Sequence, residues 1–468
     1  MGYSFYKPTF VVASMAAASL ITTAIPAYAD ETHSGVNVSA ELNFGLRNYF
    51  DDGLFAGQSD SGVSAFWGLN FNGSVKAGPG DFVLQFKGLM DNRTDRTYIN
   101  LEKLQYKAAF DSWDVLVGYH VENWGVAESS TIMNVLNSTN RTDPTTNIGA
   151  ERIGTPMINV NFQTGIGAFS IYGLLDHVQP HFGDSRARDR ALFETNTSRA
   201  FYEGNSEDDI DIALRYSNNF TLGKGSLDFS AMYFNGTSRD PVLLPGCINT
   251  FGPVTEIVCN TINTAVVGAY ASGALSGTIT SDQFWDFMEQ NATDAIVGAV
   301  SAIPAVGFIP YYQDVEKTGA TLVYSNSDLQ LRFEGIYQNS NVDEYFATVI
   351  GGDYTWNNFA GKEGSLTLAI EYLYDERGKN NPFIVFEDDI FIGVNYRLNN
   401  TLDTRFSLGG FIDLDSSAQL YTLSASTRVN DSIRVELNAT TVSTSGYNDP
   451  LAFIANDNFV EMNFIKYF

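Results

Sequence analysis

The most constraining feature of this sequence is a regular alternation of apolar and polar residues, repeated in eighteen stretches along the chain. Residues 36–47, for example, read VNVSAELNFGLR. Because successive side chains of a β-strand point to opposite faces, each stretch predicts a strand with one apolar and one polar face. In residues 97–110 the alternation changes phase near Lys103, which predicts a β-bulge there.

A soluble β-sandwich would alternate in the same way, but these polar faces carry Glu and Arg, which a packed sandwich core does not tolerate. Short turns also alternate with long connections, the long ones being 122–155, 177–208, 237–314, 375–388 and 442–458. This asymmetry is typical of outer-membrane barrels. We therefore predict an all-β fold: a transmembrane antiparallel up-and-down β-barrel of about 18 strands (range roughly 14–18), with long extracellular loops and a short helix in one loop.

Charged residues on the polar faces are expected to face a water-filled lumen. The predicted lumen-facing residues are Glu41, Arg47, Lys76, Arg215, Arg332, Glu334, Glu371, Arg397, Arg434 and Glu436. The composition fits a lipid-facing surface, since 34 Phe and 24 Tyr accompany only 17% charged residues. No run of eighteen apolar residues exists beyond the N-terminus, which excludes a helical membrane protein.

The N-terminus predicts export. Residues 1–29 carry one basic residue, an apolar core and the sequence Ala27-Tyr28-Ala29, which together indicate a cleaved signal peptide. We expect residues 30–468 to form a single barrel domain in the bacterial outer membrane. The terminal Phe468 resembles the signal that barrel-insertion machinery reads, so this machinery, periplasmic chaperones, outer-membrane lipid and lipopolysaccharide are the expected partners.

The chain is strongly acidic, with a formal net charge of −27. Nucleic acid is therefore not expected as a partner. Two interpretations of the charge stay open. One is an acidic surface that maintains solubility, and the other is a field that favours cations in the pore and holds divalent ions at lipopolysaccharide.

One stretch carries a resemblance. A strand over residues 113–120 is followed by VENWG and, after a short run, by IMNVLN. This stretch resembles a family of Gram-negative outer-membrane proteins, porin-like β-barrels of mostly uncharacterised function. The matching positions are Gly118, Val121, Trp124, Gly125, Val135, Leu136 and Asn137, whereas His120, Asn134 and Ser138 depart from the family pattern. The resemblance implies a porin-like barrel and no chemical reaction.

Residues 122–155 form the third long connection. In general porins the third loop folds inward and narrows the pore, and by that analogy we expect the same here. Acidic and basic groups facing each other across a constriction would select solutes by charge and size. The candidate constriction residues are Glu122, Trp124, Glu128, Arg141, Asp143 and Arg152. The alternative is that they cap an extracellular loop.

The loop at 237–314 contains Cys247 and Cys259, the only cysteines. We predict a disulfide, which stabilises a loop of this size by about 3 kcal/mol in the chain-entropy estimate. Small apolar residues follow at 265–277, and a helix is predicted from Ser281, which is a good N-cap residue. Such an apolar loop either plugs the barrel mouth or contacts a hydrophobic solute.

Catalytic, cofactor and metal sites are not predicted. Asp176, His177, His181 and Asp184 are potential Zn²⁺ ligands, but Pro180 disrupts helical spacing. No nucleophile elbow, phosphate loop or haem motif is present. We predict a channel for passive passage of small solutes and no enzyme. The alternatives are a channel or exporter for hydrophobic compounds gated by loop 237–314, and a non-conducting structural or adhesive barrel.

Overall fold

The computed structural model describes residues 35–468 with the exception of 56, 95, 143–150, 189, 191–193, 204–209, 249–252, 273–305, 362, 379–385 and 445–448. The predicted signal peptide, Asp143 and the helix predicted from Ser281 therefore lie outside the described residues.

Strands dominate the described residues. In chain order they are β1 Val36–Tyr49, β2 Gly62–Ala77, β3 Gly80–Asp91, β4 Tyr98–Ala109, β5 Trp113–His120, β6 Asn140–Arg141, β7 Thr155–Thr164, β8 Gly167–Leu174, β9 His181–Phe182, β10 Phe201–Tyr202, β11 Asp211–Leu222, β12 Gly225–Thr237, β13 Val242–Cys247, β14 Val306–Tyr312, β15 Asp314–Ser325, β16 Leu329–Ser340, β17 Glu344–Trp356, β18 Ser365–Asp375, β19 Asp388–Arg397, β20 Arg405–Asp413, β21 Gln419–Asn430, β22 Ile433–Ser443 and β23 Phe459–Tyr467. The helical elements are α1 Pro253–Ala271 and the 3-10 turns Thr197–Arg199, Phe359–Gly361 and Pro450–Ile454.

Eighteen of these strands form one closed antiparallel barrel, as predicted. Each long strand pairs with the next long strand along the chain, and β23 pairs with β1 to close the sheet. The five short strands, β6, β9, β10, β13 and β14, belong to the loops and form two small sheets outside the barrel sheet. Closure leaves the barrel without an unpaired edge, which is the requirement for a sheet in contact with lipid.

The strand register defines the two ends of the barrel. Val36 lies opposite Val75 beside the turn at 78–79, and Glu41 lies opposite Tyr467, so both described chain ends are at the short-turn end. The predicted bulge is present, since the pairing of β3 with β4 shifts between Gln85 and Phe86 and leaves Glu102 as the extra residue. At the loop-bearing end most connections are long, with the exception of short ones such as 341–343.

The two faces of the barrel differ as the alternation predicts. Large apolar side chains are exposed on the outer face, including Trp67, Ile99 and Ile350 at 60%, 76% and 52% exposure. The inner face is polar towards the short turns and packs against loops towards the other end. None of the helices in the described ranges is both long and apolar enough to cross a membrane.

The described part of the connection between β12 and β15 is a small folded unit. Here β13 pairs with β14, and α1 packs on this sheet through Val266, Val267 and Tyr270. Cys247 and Cys259 form the predicted disulfide, which joins the end of β13 to α1. This helix was not predicted, and it includes part of the small-residue stretch at 265–277. Proline at the first helical position is favourable because its missing N–H has no partner there anyway.

Candidate functional site

The connection between β5 and β7 folds into the barrel, and Asn137 holds its base together. The fully buried Asn137 amide accepts a hydrogen bond from the Glu122 N–H at 2.8 Å. It also donates to the carbonyls of His120 and Ile153 at 2.8 and 3.0 Å. One side chain thus joins the end of β5 to the approach to β7, which fixes the direction in which the loop leaves the wall.

An apolar segment of the same loop fills the space beside the wall. Met133, Val135 and Leu136 are each 1% exposed and belong to a buried cluster with inward side chains of the barrel, among them Phe234 and Ile336. Burying side chains of this size stabilises the docked loop by about 1.5–3 kcal/mol each. The loop therefore packs as part of the interior and is not a solvated extracellular segment at these residues.

The tip of the loop is anchored on the far wall by Glu334 of β16. β16 is six strands from β5 in an eighteen-stranded barrel, so this contact spans the lumen. The Glu334 carboxylate accepts hydrogen bonds from the N–H groups of Val126, Ala127 and Ile132, the last two at 2.7 and 3.0 Å. It also accepts from the Thr131 hydroxyl at 2.8 Å. The carboxylate is 0% exposed, and these donors satisfy the buried charge.

Glu371 of β18 forms a second anchor, eight strands from β5. Its carboxylate accepts from the N–H groups of Glu128 and Ser129, both at 2.8 Å, and from the Ser129 hydroxyl at 2.5 Å. Arg332 of β16 lies between the two anchors, 2.6 Å from Asp353 and 3.4 Å from Glu128. The loop tip is thus fixed to the wall by two buried carboxylates and one guanidinium.

The candidate constriction residues occupy different parts of this arrangement. Glu128 is at the loop tip with 59% of its side chain exposed. Trp124 is buried, edge-on to Tyr172 at 5.4 Å. Glu122 accepts from the Tyr172 hydroxyl at 3.2 Å, and Arg152 donates to the Glu122 carbonyl at 3.1 Å. These two residues and Trp124 form the loop base.

Arg141 is separate from that group, since it pairs with Asp240 of another loop at 2.7 Å. The structure therefore brings Glu122, Trp124 and Arg152 together at the loop base and places Glu128 at the far wall. Arg141 instead joins this loop to the loop that contains Asp240. That these residues narrow a pore stays a prediction.

The ten residues predicted to face the lumen all lie on the inner face, opposite in phase to the exposed apolar residues of their strands. Arg47, Glu334 and Glu371 are buried under loops or neighbours, whereas Lys76 and Arg397 near the short turns are exposed. Glu41 and Glu436 are half-buried on adjoining parts of the wall formed by β1, β22 and β23.

The histidine-containing loop after β8 shows packing contacts. His177 is buried between Tyr202 and Tyr312, with ring centroids 5.3 and 4.4 Å away, and its Nε2 is 3.1 Å from the Ser238 carbonyl oxygen. Burial beside Arg239 lowers the pKa of His177 to about 3. Arg188 of the same loop is also buried and pairs with Asp457 at 2.9 Å, which is a contact between loops.

Comparison with known proteins gave matches among solved structures alone. No protein-family model matches the chain, and no curated relative matches it. Among solved structures, a triple mutant of the Rhodopseudomonas blastica porin is 12% identical, with 92% of this chain and 100% of the porin covered at a TM-score of 0.37. Pseudomonas putida OprB is 8% identical, with 93% and 94% covered at a TM-score of 0.45. The closed antiparallel barrel implied by the resemblance is confirmed as a fold by the strand order.

Proposed function

We propose that the protein is a porin-like channel of the bacterial outer membrane that lets small polar solutes diffuse through a restricted lumen. The observation that carries the proposal is the anchoring of the loop at 121–154 across the barrel by Glu334 and Glu371. A loop fixed in this way divides the lumen, and the exposed Glu128 side chain at its tip would contact a solute that diffuses past it. Lipopolysaccharide, periplasmic chaperones and insertion machinery stay predicted partners.

The polar wall away from the anchors supports passage of polar solutes. Glu41, Lys87, Arg434 and Glu436 lie on the inner face of β1, β3 and β22, and all four are half-buried. Mixed charges facing water in a narrow space select by charge and size. A surface that serves a hydrophobic solute would be expected to be lined by apolar residues, so this charged wall favours small polar or charged solutes.

Among the described residues, the packing gives little support to the hydrophobic-solute alternative. In the described part of the loop at 238–313, Val266, Val267 and Tyr270 of α1 pack on the buried residues of β13 and β14, which explains their apolar character. Ile257 and Ile262 on α1 are exposed and are not part of this core. A non-conducting barrel is the remaining alternative, and it is an outcome of the experiment below.

Planar-bilayer recording of the refolded protein tests the proposal. We expect discrete ion conductance for the wild type and a larger unitary conductance for Glu371→Gln, because the amide loses part of the loop anchor. Glu316→Gln is the matched control, since Glu316 is an exposed glutamate of β15 in phase with outward residues and distant from the loop anchors. Glu128→Lys should shift the reversal potential towards anion selectivity. Absence of conductance in folded protein would overturn the proposal.

A further inference from the structure

Four carboxylates from three segments meet beneath the loops at the loop-bearing end. Glu387 immediately precedes β19, Asp389 lies on β19, and Asp413 ends β20. Ligand oxygens of these three lie within 4.8 Å of one another. Asp449, the N-cap of the 3-10 turn Pro450–Ile454, adds a fourth negative charge close to Glu387 and Asp413.

The cluster is buried, and most of its oxygens lack donors. Oδ1 of Asp413 accepts from the Ser416 N–H, and Asp449 accepts from the Leu451 N–H and the Ser416 hydroxyl. Glu387, Asp389 and Asp413 are 2%, 0% and 4% exposed. Both carboxylate oxygens of Glu387, both of Asp389 and Oδ2 of Asp413 are buried without any hydrogen-bond donor among the described residues. This contrasts with Glu334 and Glu371, whose equally buried oxygens are saturated by the loop. Buried carboxylates that remain without donors are costly, because each loses its hydration without compensation.

The strand pairing adds to that cost. Asp389 and Asp413 are direct cross-strand partners in the pairing of β19 with β20, and both point inward. Like charges directly opposite each other on neighbouring strands repel. Among the described residues no Lys or Arg forms an ion pair with Glu387, Asp389, Asp413 or Asp449, so the protein itself supplies no described countercharge.

We propose that Glu387, Asp389 and Asp413, supported by Asp449, bind one calcium ion. The donor set consists of carboxylate oxygens alone, which is the chemistry of a hard divalent cation. Two oxygens bound to one Ca²⁺ at about 2.4 Å are at most about 4.8 Å apart, which the cluster satisfies. Mg²⁺ requires shorter bonds and near-ideal octahedral geometry, which residues from three segments provide less readily.

The bound ion has a structural consequence. Phe386, next to Glu387, stacks on Phe411 with ring centroids 3.8 Å apart, and Leu451, two residues after Asp449, belongs to the same buried cluster. The ion therefore joins Glu387 and the turn Pro450–Ile454 to the ends of β19 and β20. One ligand from the medium thus links described parts of two loops to the barrel wall.

The test uses the full mature protein folded in detergent, without lipopolysaccharide, and stripped with EDTA. Isothermal titration with CaCl₂ should show saturable binding of about one ion per chain, and added Ca²⁺ should raise the unfolding temperature. The double variant Asp389→Asn/Asp413→Asn should bind Ca²⁺ at least about tenfold more weakly, because ligand charge sets affinity. Asp388→Asn is the matched control, since Asp388 is the neighbouring residue of β19 and accepts from the Tyr372 hydroxyl instead.

Folding of the variant is itself informative. If the carboxylates repel one another without an ion, the double variant in EDTA should be at least as stable as stripped wild type. No saturable Ca²⁺ binding by stripped wild type would overturn the proposal and leave bound protons as the means of neutralisation. Equal Ca²⁺ binding by wild type and the double variant, or tighter binding of MgCl₂ than of CaCl₂, would also overturn it. These readouts are independent of ion conductance, and so of the proposed channel function.

Discussion

Replacing Glu334 with Gln tests whether the far-wall anchor holds the inward loop in place. The two oxygens of Glu334 accept hydrogen bonds from different donors. Oε1 accepts from Val126 and Ala127, while Oε2 accepts from Ile132 and Thr131. A glutamine keeps one acceptor oxygen and presents an NH₂ group to the donors that faced the other. Two hydrogen bonds to a charged group are therefore lost, each worth about 1.5–3 kcal/mol.

The neutral amide also avoids part of the cost of burying a charge, so we take the lower end, about 3 kcal/mol. At about 1.4 kcal/mol per factor of ten, the undocked loop becomes about 150-fold more populated. Hydrogen exchange of the Val126, Ala127 and Ile132 amides measures this population, because these N–H groups are protected by Glu334. We expect exchange at these amides to accelerate by about this factor in Glu334→Gln.

The control for this experiment is Glu316→Gln, which removes an exposed carboxylate near the same end of the barrel without touching the loop. It should leave exchange at the three amides unchanged. If Glu334→Gln also left them unchanged, the buried carboxylate would not be what holds the loop, and the apolar packing of Met133, Val135 and Leu136 would suffice on its own.

Two further predictions concern the other loops. His177 is neutral in the folded protein because its pKa is lowered from 6.5 to about 3, so its contribution is complete above pH 6.5 and is lost as the pH falls towards 3. At pH 5 the packing of His177 against Tyr202, Tyr312 and Ser238, beside Arg239, should be weaker by about 2 kcal/mol. Hydrogen exchange over 238–248, corrected for the pH dependence of the intrinsic rate, measures this loss. The variant His177→Phe should abolish the pH dependence. The double replacement Cys247→Ser/Cys259→Ser should destabilise α1 by about 3 kcal/mol, which should be seen as faster proteolysis at 253–271. The barrel itself should stay folded, as judged by its altered gel mobility before heating. Equal proteolysis with and without the disulfide would contradict this prediction.

The barrel was predictable because its signal is local. Apolar and polar residues alternate with a period of two within each strand, and even the bulge at Glu102 was visible as a phase change near Lys103. The helix α1 was not predicted because Cys, Asn, Thr and Val give its sequence a weak helical preference, and packing on β13 and β14 stabilises it instead.

The contacts of the inward loop were less accessible to sequence reasoning. Glu334 and Glu371 were predicted to face the lumen, but nothing near them in sequence indicates that they bind amides about 200 residues away. Asn137 was noted only as part of a resemblance, although its side chain holds the loop base. The acidic cluster has one signal in the sequence. Apolar and polar residues alternate over 389–397 and 404–413, and two strands there would place Asp389 and Asp413 at the same end of a hairpin.

The distance along the chain between the loop and its anchors imposes an order of events during biogenesis. Residues 126–132 are synthesised long before Glu334 and Glu371, so their amides have no final partners in the early nascent chain. The inward loop can thus reach its final position only after β16 and β18 are available. A chain arrested between β8 and β16 would contain the loop but lack the two carboxylates that anchor it.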